Sequence, residues 1–237
     1  LLDRHEAGRQ LAERVALRAL AQPFHDPLVL ALPRGGVPVA LEIAEAIDAP
    51  LDVLLVRKLG APGFAELGLG AIVDGPNPQR ILNQRIIDAV QPPPGYLEAE
   101  EKRQYEVLAQ RKRRLRQGHP PEPVQGRDVI LVDDGVATGS TMRVALKALA
   151  GAGARSVLVA VPVAPAGAHE ALGIEAERFE CLLMPEDFQA VGNYYVDFAQ
   201  LTDDEVVALL ARSRQRDASS PVAVRPSTEA SGAVVKR

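Results

Sequence analysis

Two adjacent carboxylates, Asp133 and Asp134, end the apolar run Val-Ile-Leu-Val at 129–132 and are followed by Gly135, Val136, Ala137, Thr138, Gly139, Ser140 and Thr141. Carboxylates suit sugar hydroxyls or a hydrated divalent cation. The small residues after them let backbone N–H groups approach an anion closely, while the hydroxyls of Thr138, Ser140 and Thr141 donate further hydrogen bonds. Together these residue types could hold a sugar phosphate and its metal.

The elements that must position them can be read from the flanking pattern. Four consecutive apolar residues indicate a strand buried on both faces of a parallel sheet. Its carboxyl end is where open α/β sheets bind ligands. Residues 142–149 read as a helix with Val144, Ala145 and Ala148 or Leu149 on one face, its positive N-terminal end aimed at the loop. Successive strand residues project to opposite sides, so the two aspartates have different tasks. A strand end followed by a Thr138 or Ser140 helix cap is an ordinary arrangement. The joint pattern is much more specific.

The segment 129–141 resembles the phosphoribosyl pyrophosphate (PRPP) signature of type I phosphoribosyltransferases, in which two acidic residues follow a hydrophobic strand and precede a Thr-Gly loop. A second segment agrees with it. Residues 28–32 form another short apolar run, followed by Pro33-Arg34-Gly35-Gly36-Val37-Pro38 and a helical pattern through Ile43 and Ile47. On their own the two glycines make a tight turn. The resemblance implies that Arg34, Gly35 and Gly36 form the family's pyrophosphate loop, with an unusual backbone that turns amides toward the leaving group.

A third strand is expected over 51–56, delivering Arg57 and Lys58 to the same end of the sheet, where two cations favour a polyphosphate. A solvated strand end is the alternative. The glycine-rich stretch 60–70 reads as a mobile loop leading into a strand through Val73, able to close over a reacting centre. The family has a flexible loop near this place, and the run 56–72 looks like a poorly characterised branch of predicted phosphoribosyltransferases. Within it, Glu66 is either a substrate or metal contact or a surface glutamate.

The chain has 237 residues, 47% of them hydrophobic and 24% charged, which suits one α/β domain with a large core. No segment approaches a membrane span. The start, Leu1-Leu2-Asp3, carries neither an initiating methionine nor a signal-peptide charge pattern and points to a truncated beginning. Cys181 is the only cysteine, so no internal disulfide forms, and its apolar surroundings mark it as an inert core residue. His5, His25, His119 and His169 lack ligand spacing, which argues against zinc. A net charge of −4 argues against wholesale nucleic-acid binding.

Charge is nevertheless unevenly placed. Residues 97–116 read as one helix with Glu98, Glu100, Glu101 and Glu106 early and Arg111, Lys112, Arg113, Arg114 and Arg116 late, an order that complements the helix dipole. The plain reading is a solvated helix; the other is a basic end that touches nucleic acid or a partner. With a preceding helix at 79–90 it forms a helical insertion over about 76–125. A first helix begins at Asp3 and Glu6, with Ala7, Leu11, Val15 and Leu20 on its apolar face. Further along, 156–161 is a strand, 164–172 a short helix, and 179–183 an edge or hood strand. Phe188, Tyr194, Tyr195 and Phe198, four of the chain's nine aromatics, gather with Val191 in one loop, which either stacks on a planar base or caps the core. A last helix spans 202–212 with Val206, Leu209 and Leu210 inward, and 213–237 is a Ser-, Ala- and Pro-rich disordered tail.

The resemblance covers residues 1–212 and implies an open parallel sheet of four or five strands flanked by helices, with the insertion and a small C-terminal hood over about 178–200. It implies Mg²⁺-dependent transfer of a phosphoribosyl group from PRPP to a nitrogen acceptor, with release of pyrophosphate. Asp133, Asp134, Arg34 and Lys58 are then the catalytic residues, and the two aspartates also the metal ligands. PRPP is held by Gly35, Gly36, Arg57, Gly135, Val136, Ala137, Thr138, Gly139, Ser140 and Thr141. Glu66, Phe188, Tyr194 and Tyr195 become acceptor contacts. The pattern departs at Ala137, where oxopurine-specific members carry an aspartate and the adenine-type motif carries alanine, which argues against a hypoxanthine or guanine acceptor. Cytoplasmic placement is the corresponding expectation, and the insertion offers a surface for a homodimer. The competing class is a non-catalytic PRPP-binding regulator acting on nucleic acid or a protein. A third, a PRPP synthase-like diphosphotransferase, lacks a second nucleotide motif.

Overall fold

The computed structural model describes residues 1–75 and 78–219. In chain order, helix α1 (Arg4–Ala21) is followed by strand β1 (Leu28–Ala31), helix α2 (Gly36–Ala46) and strand β2 (Leu51–Val53). Strands β3 (Val56–Ala61), β4 (Phe64–Val73) and β5 (Gln79–Leu82) come next, then helices α3 (Gln84–Val90) and α4 (Tyr96–Arg116). The second half runs β6 (Asp128–Val132), α5 (Ser140–Gly151), β7 (Ser156–Val163), α6 (Ala168–Leu172), β8 (Phe179–Leu183) and α7 (Asp203–Ser219).

The main sheet has five parallel strands in the order β2-β1-β6-β7-β8. Alternation along each strand gives it two apolar faces. Val29, Ala31, Ile130 and Val132 pack with Leu11 and Val15 of α1, Leu41 of α2 and Val206 of α7. Leu28, Leu30, Val129 and Leu131 face the other way, onto Met142, Ala145 and Leu149 of α5. This is the expected α/β architecture, with helices on both sides and the ends of β1 and β6 side by side.

Several element boundaries need correction. The run 51–56 is not one strand: β2 stops at Val53, and β3 begins at Val56 in a separate antiparallel sheet ordered β3-β4-β5. Nor is 60–70 a loop, because β3 and β4 form a hairpin around Pro62-Gly63. Gly63 has φ 73°, the left-handed value that a Pro-Gly turn requires. Residues 79–82 pair with β4 as strand β5 instead of starting a helix. Asn83 caps α3 behind them, its side chain accepting from the Ile86 N–H. The insertion therefore mixes strand and helix, and residues 76–77 within it lie outside the described residues. Strand β8, expected at an edge or in a hood, is the edge of the main sheet, parallel to β7.

The outer helices also differ in detail. Asp3 caps α1 as expected, accepting from Glu6 N–H at 2.7 Å. Leu20 is 82% exposed, because it lies well around the helix from the buried stripe Ala7, Leu11 and Val15. Helix α7 continues past Arg212 to Ser219, since Ser213 extends the buried stripe of Val206 and Leu210. The tail expected from 213 is thus helical over its first residues; 220–237 lie outside the described residues.

Helix α4 turns two of its charged residues, Glu100 and Arg116, inward. Glu100, Gln104, Leu108 and Leu115 form its buried stripe. Arg116 is 2% exposed; its Nε donates to Asp52 Oδ1 at 3.0 Å, its Nη2 to the Val53 carbonyl at 2.7 Å, and its Nη1 pairs with Asp74. Lys112 reaches Asp74 at 3.3 Å and Arg114 reaches Asp203 at 3.4 Å. The basic end is therefore divided: Arg113 and Arg114 are exposed, as the solvated reading expects, while Arg116, with Lys112, fastens the helix to β2 and to the residue after β4.

Candidate active site

The alternation that sorts the β6 side chains carries past its end. Asp134 falls on the side of Ile130 and Val132, where α1 and α2 lie, and there Arg4 Nε donates to its Oδ2 at 2.7 Å. Arg4 is itself held: its guanidinium lies 3.9 Å above the Phe198 ring, and Nη1 donates to the Ala199 carbonyl at 2.9 Å. Asp133 takes the Asp134 backbone N–H on its own Oδ1 at 2.9 Å. Burial, and then the neighbouring Asp134 charge, push the Asp133 carboxyl well above the usual carboxylate range. The two aspartates thus occupy different electrostatic settings, as their positions in a strand register imply.

The glycines expected at the pyrophosphate loop meet these acids directly. A Cβ on Gly35 would overlap the Asp134 carboxylate, and one on Gly36 would stand 2.7 Å from the Val132 carbonyl oxygen and 2.9 Å from Asp133 Cα. The peptide bond between Pro33 and Arg34 is cis. The close approach at Gly35 and Gly36 puts the two loops in direct contact. Arg34 projects from its rim, with Nη1 3.7 Å from Asp203 of α7.

The small-residue loop ends at Gly139, whose φ of 69° lets it precede the first turn of α5. Ala137, Thr138, Ser140 and Thr141 surround that turn, and all but the half-buried residue at 139 are open to solvent or nearly so. Thr138 Oγ1 and Ser140 Oγ lie 3.1 Å apart. Val136 is buried and its N–H is bonded to the Val163 carbonyl at 2.9 Å, which pins the loop to β7. The arrangement offers hydroxyls and first-turn amides to an anion.

Arg57 and Lys58 part company, because consecutive residues of β3 face opposite ways. Arg57 lines a cavity of about 40 Å³ together with Leu32, Pro33, Arg111 and Thr141, beside both loops. Lys58 instead donates at 2.9 Å to the Glu66 carboxylate across the exposed hairpin. That contact holds the Glu66 carboxyl below its ordinary value. The structure thus brings Arg57 to the loops and sets Lys58 and Glu66 together away from that cavity. A larger cavity, about 400 Å³, is lined by Leu30, Asp52, Gln79, Arg116, Glu122 and others and includes no residue of either loop.

The aromatic loop also divides. Tyr195 is 7% exposed and its hydroxyl donates to the Asp134 carbonyl at 2.7 Å, so it braces the loop and has no free face for an acceptor. Phe188 and Tyr194 stack at 5.6 Å with a 13° interplanar angle. Val191, in the turn before Tyr194, packs on Gly135 so closely that a Cβ there would stand 2.5 Å from it. Tyr195 thus caps the core, and Phe188 and Tyr194 pack partly buried against the same small cluster of Ala7, Val163 and Tyr195.

Sequence reasoning did not find Arg4 or Arg111 as site residues. Arg4 lies 130 positions from Asp134 and belongs to no motif. Arg111 does carry a signal: it falls between Leu108 and Leu115 on the buried stripe of α4, where a charge is out of place.

The sequence model of the phosphoribosyl transferase domain matches residues 2–199, and the chain belongs to this family. Two chains of Mycobacterium tuberculosis, from strains H37Rv and CDC 1551, each named "Putative phosphoribosyl transferase", are 43% identical over 213 residues, which is 90% of this chain and 47% of theirs. The chain thus spans about half the length of these curated relatives. The crystal structure of TT1426 from Thermus thermophilus superposes with a TM-score of 0.75 at 45% identity, covering 90% of this chain and 98% of that one.

Proposed function

We propose that the chain binds Mg²⁺–PRPP across the two loops and transfers its phosphoribosyl group to a nitrogen acceptor, releasing pyrophosphate. The observation that carries this reading is the direct packing of Gly35 and Gly36 against Asp133 and Asp134, which brings two loops of different chemistry into contact. Thr138, Ser140, Thr141 and the first-turn amides of α5 hold the 5′-phosphate. Asp133 and Asp134 take the ribose hydroxyls and favour positive charge developing on the ring. Arg34 and Arg57 stabilise the departing diphosphate.

The donor set fits Mg²⁺ only alongside the substrate. Among the described residues no three His, Cys, Asp or Glu side chains gather as a metal cage, and Asp134 already meets Arg4. Asp133 is the carboxylate left to share such an ion with substrate oxygens, the usual mode for Mg²⁺. When bound, the ion supplies charge neutralisation at the diphosphate. The stacked Phe188 and Tyr194 are the aromatic surface proposed for a planar acceptor, and Ala137 offers no carboxylate for an oxopurine proton.

Isothermal calorimetry with Mg²⁺–PRPP, followed by pyrophosphate release across a panel of nucleobases and other amines, tests the proposal. Binding with turnover supports it; binding without turnover on any acceptor favours the regulator. That second reading loses Lys112 and Arg116 of α4, which are paired with Asp52 and Asp74, and keeps the exposed Arg113 and Arg114. No binding at all removes both.

A further inference from the structure

Helix α4 comes from the insertion, yet its inner face reaches the pyrophosphate loop. Along that face Gln104 accepts from Arg57 Nε at 3.0 Å and is itself bonded to Glu100 at 2.9 Å, so it orients the Arg57 guanidinium. Two turns further on, Arg111 lines the same 40 Å³ cavity as Arg57, Pro33 and Thr141. The cavity has room for only a few water-sized atoms. It can therefore receive the edge of an anion lying on the loop, not a whole ligand.

Arg111 is poorly accommodated by the protein alone. Its Nε is buried and has no hydrogen-bond partner among the described residues. Burial lowers its affinity for a proton, and the nearby charges of Arg34 and Arg57 act in the same direction, opposed by Asp203. A buried guanidinium nitrogen left unpaired beside two like charges is costly, and such a cost persists where a ligand relieves it.

We infer that Arg111 is a third guanidinium of the diphosphate site, contributed by α4, and that it meets the leaving group together with Arg34 and Arg57. The inference rests on the proposed PRPP reading and extends it: the insertion is a working wall of the site, and Gln104 is a positioning residue for Arg57. Arg57 and Arg111 on one cavity, with Arg34 near enough to act on Arg111, match the charge of a diphosphate better than that of a phosphate monoester.

The test compares wild type, Arg111→Gln and Arg111→Lys in the full chain, using calorimetry with Mg²⁺–PRPP, Mg²⁺–pyrophosphate and ribose 5-phosphate. Arg111→Gln should weaken PRPP and pyrophosphate binding by roughly 10- to 100-fold while leaving ribose 5-phosphate within about twofold, and Arg111→Lys should recover part of the loss. Thermal melting should show Arg111→Gln as stable as wild type or more so, because an unrelieved charge has gone. Equal loss for all three ligands, a lowered melting temperature with no selective loss, or unchanged binding would each overturn the inference. If wild type binds pyrophosphate but not PRPP, the proposed function fails while pyrophosphate still reads out Arg111. If wild type binds both and Arg111→Gln matches it, the Arg111 assignment fails alone. If wild type binds neither, both fall.

Discussion

Arg4 and Asp134 meet across 130 residues of chain, Nε to Oδ2 at 2.7 Å, with both side chains mostly buried. One of the two signature acids is thus held by the first turn of the first helix. Arg4→Met leaves that carboxylate without its partner and should cost about 2–4 kcal/mol in urea unfolding. Asp134→Asn should weaken Mg²⁺–PRPP at least tenfold in calorimetry, on the order of 1.4 kcal/mol or more. The double variant should regain much of the stability and none of the binding. Unchanged affinity in Asp134→Asn would remove this residue from the site.

Gly35 has no room for a side chain because the Asp134 carboxylate occupies it. Gly35→Ala should force the two loops apart, lowering stability by about 1–3 kcal/mol and PRPP affinity by more than tenfold. Gly68→Ala is the control: its Cβ would meet chiefly the Lys58 side chain, at 3.4 Å. Equal binding by the two variants would contradict the loop contact.

Arg116 lies between Asp52 and Asp74, all three nearly inaccessible. Removing the cation leaves buried Asp52 without its ion-pair partner and Asp74 with Lys112 alone, so Arg116→Ala should destabilise by about 3–5 kcal/mol in denaturant titration. Arg113→Ala, at an exposed position of the same helix, should shift stability by less than about 0.5 kcal/mol. Similar losses in both would mean that the inward network contributes little.

Cys181 is 7% exposed, and burial pushes its thiol up to about 11 from an ordinary 9.0. At pH 8 its thiolate is roughly 100-fold scarcer than that of a free cysteine, so alkylation of the native protein should be slow and should accelerate sharply in urea. The sign for stability follows from the raised value. The contribution is complete below pH 9 and is lost as pH climbs toward about 11, so wild type should lose stability relative to Cys181→Ala across that window. Rapid alkylation of the folded chain would refute the burial.

The main sheet was legible because its strands are short apolar runs, and the loops because acids, glycines and hydroxyl residues follow those runs at fixed offsets. Val129–Val132 and the Asp133–Thr141 stretch needed no tertiary information. Pairing partners did need it. Gln79–Leu82 carries helix-compatible residues and becomes a strand only because β4 offers its edge. Pro62-Gly63 did signal a hairpin, but the surrounding glycines resemble a loop equally well. The split of Arg57 from Lys58 follows from β alternation once β3 is recognised. Arg4 and Tyr195 carry no local signature, because what they do is brace a turn contributed by a distant part of the chain.

The brace has a consequence for biosynthesis. The Leu1 and Leu2 carbonyls accept from Val196 and Asp197 N–H at 2.9 and 2.8 Å, and Tyr195 and Phe198 support the turn after β6 from the same late segment. A nascent chain halted on the ribosome before Tyr195 already carries every signature residue of both loops, yet has nothing to clamp Arg4 or the Asp134 carbonyl. On the proposed PRPP reading, ligand competence should emerge abruptly, once the late segment is free to dock on α1, and not gradually as the motifs are translated.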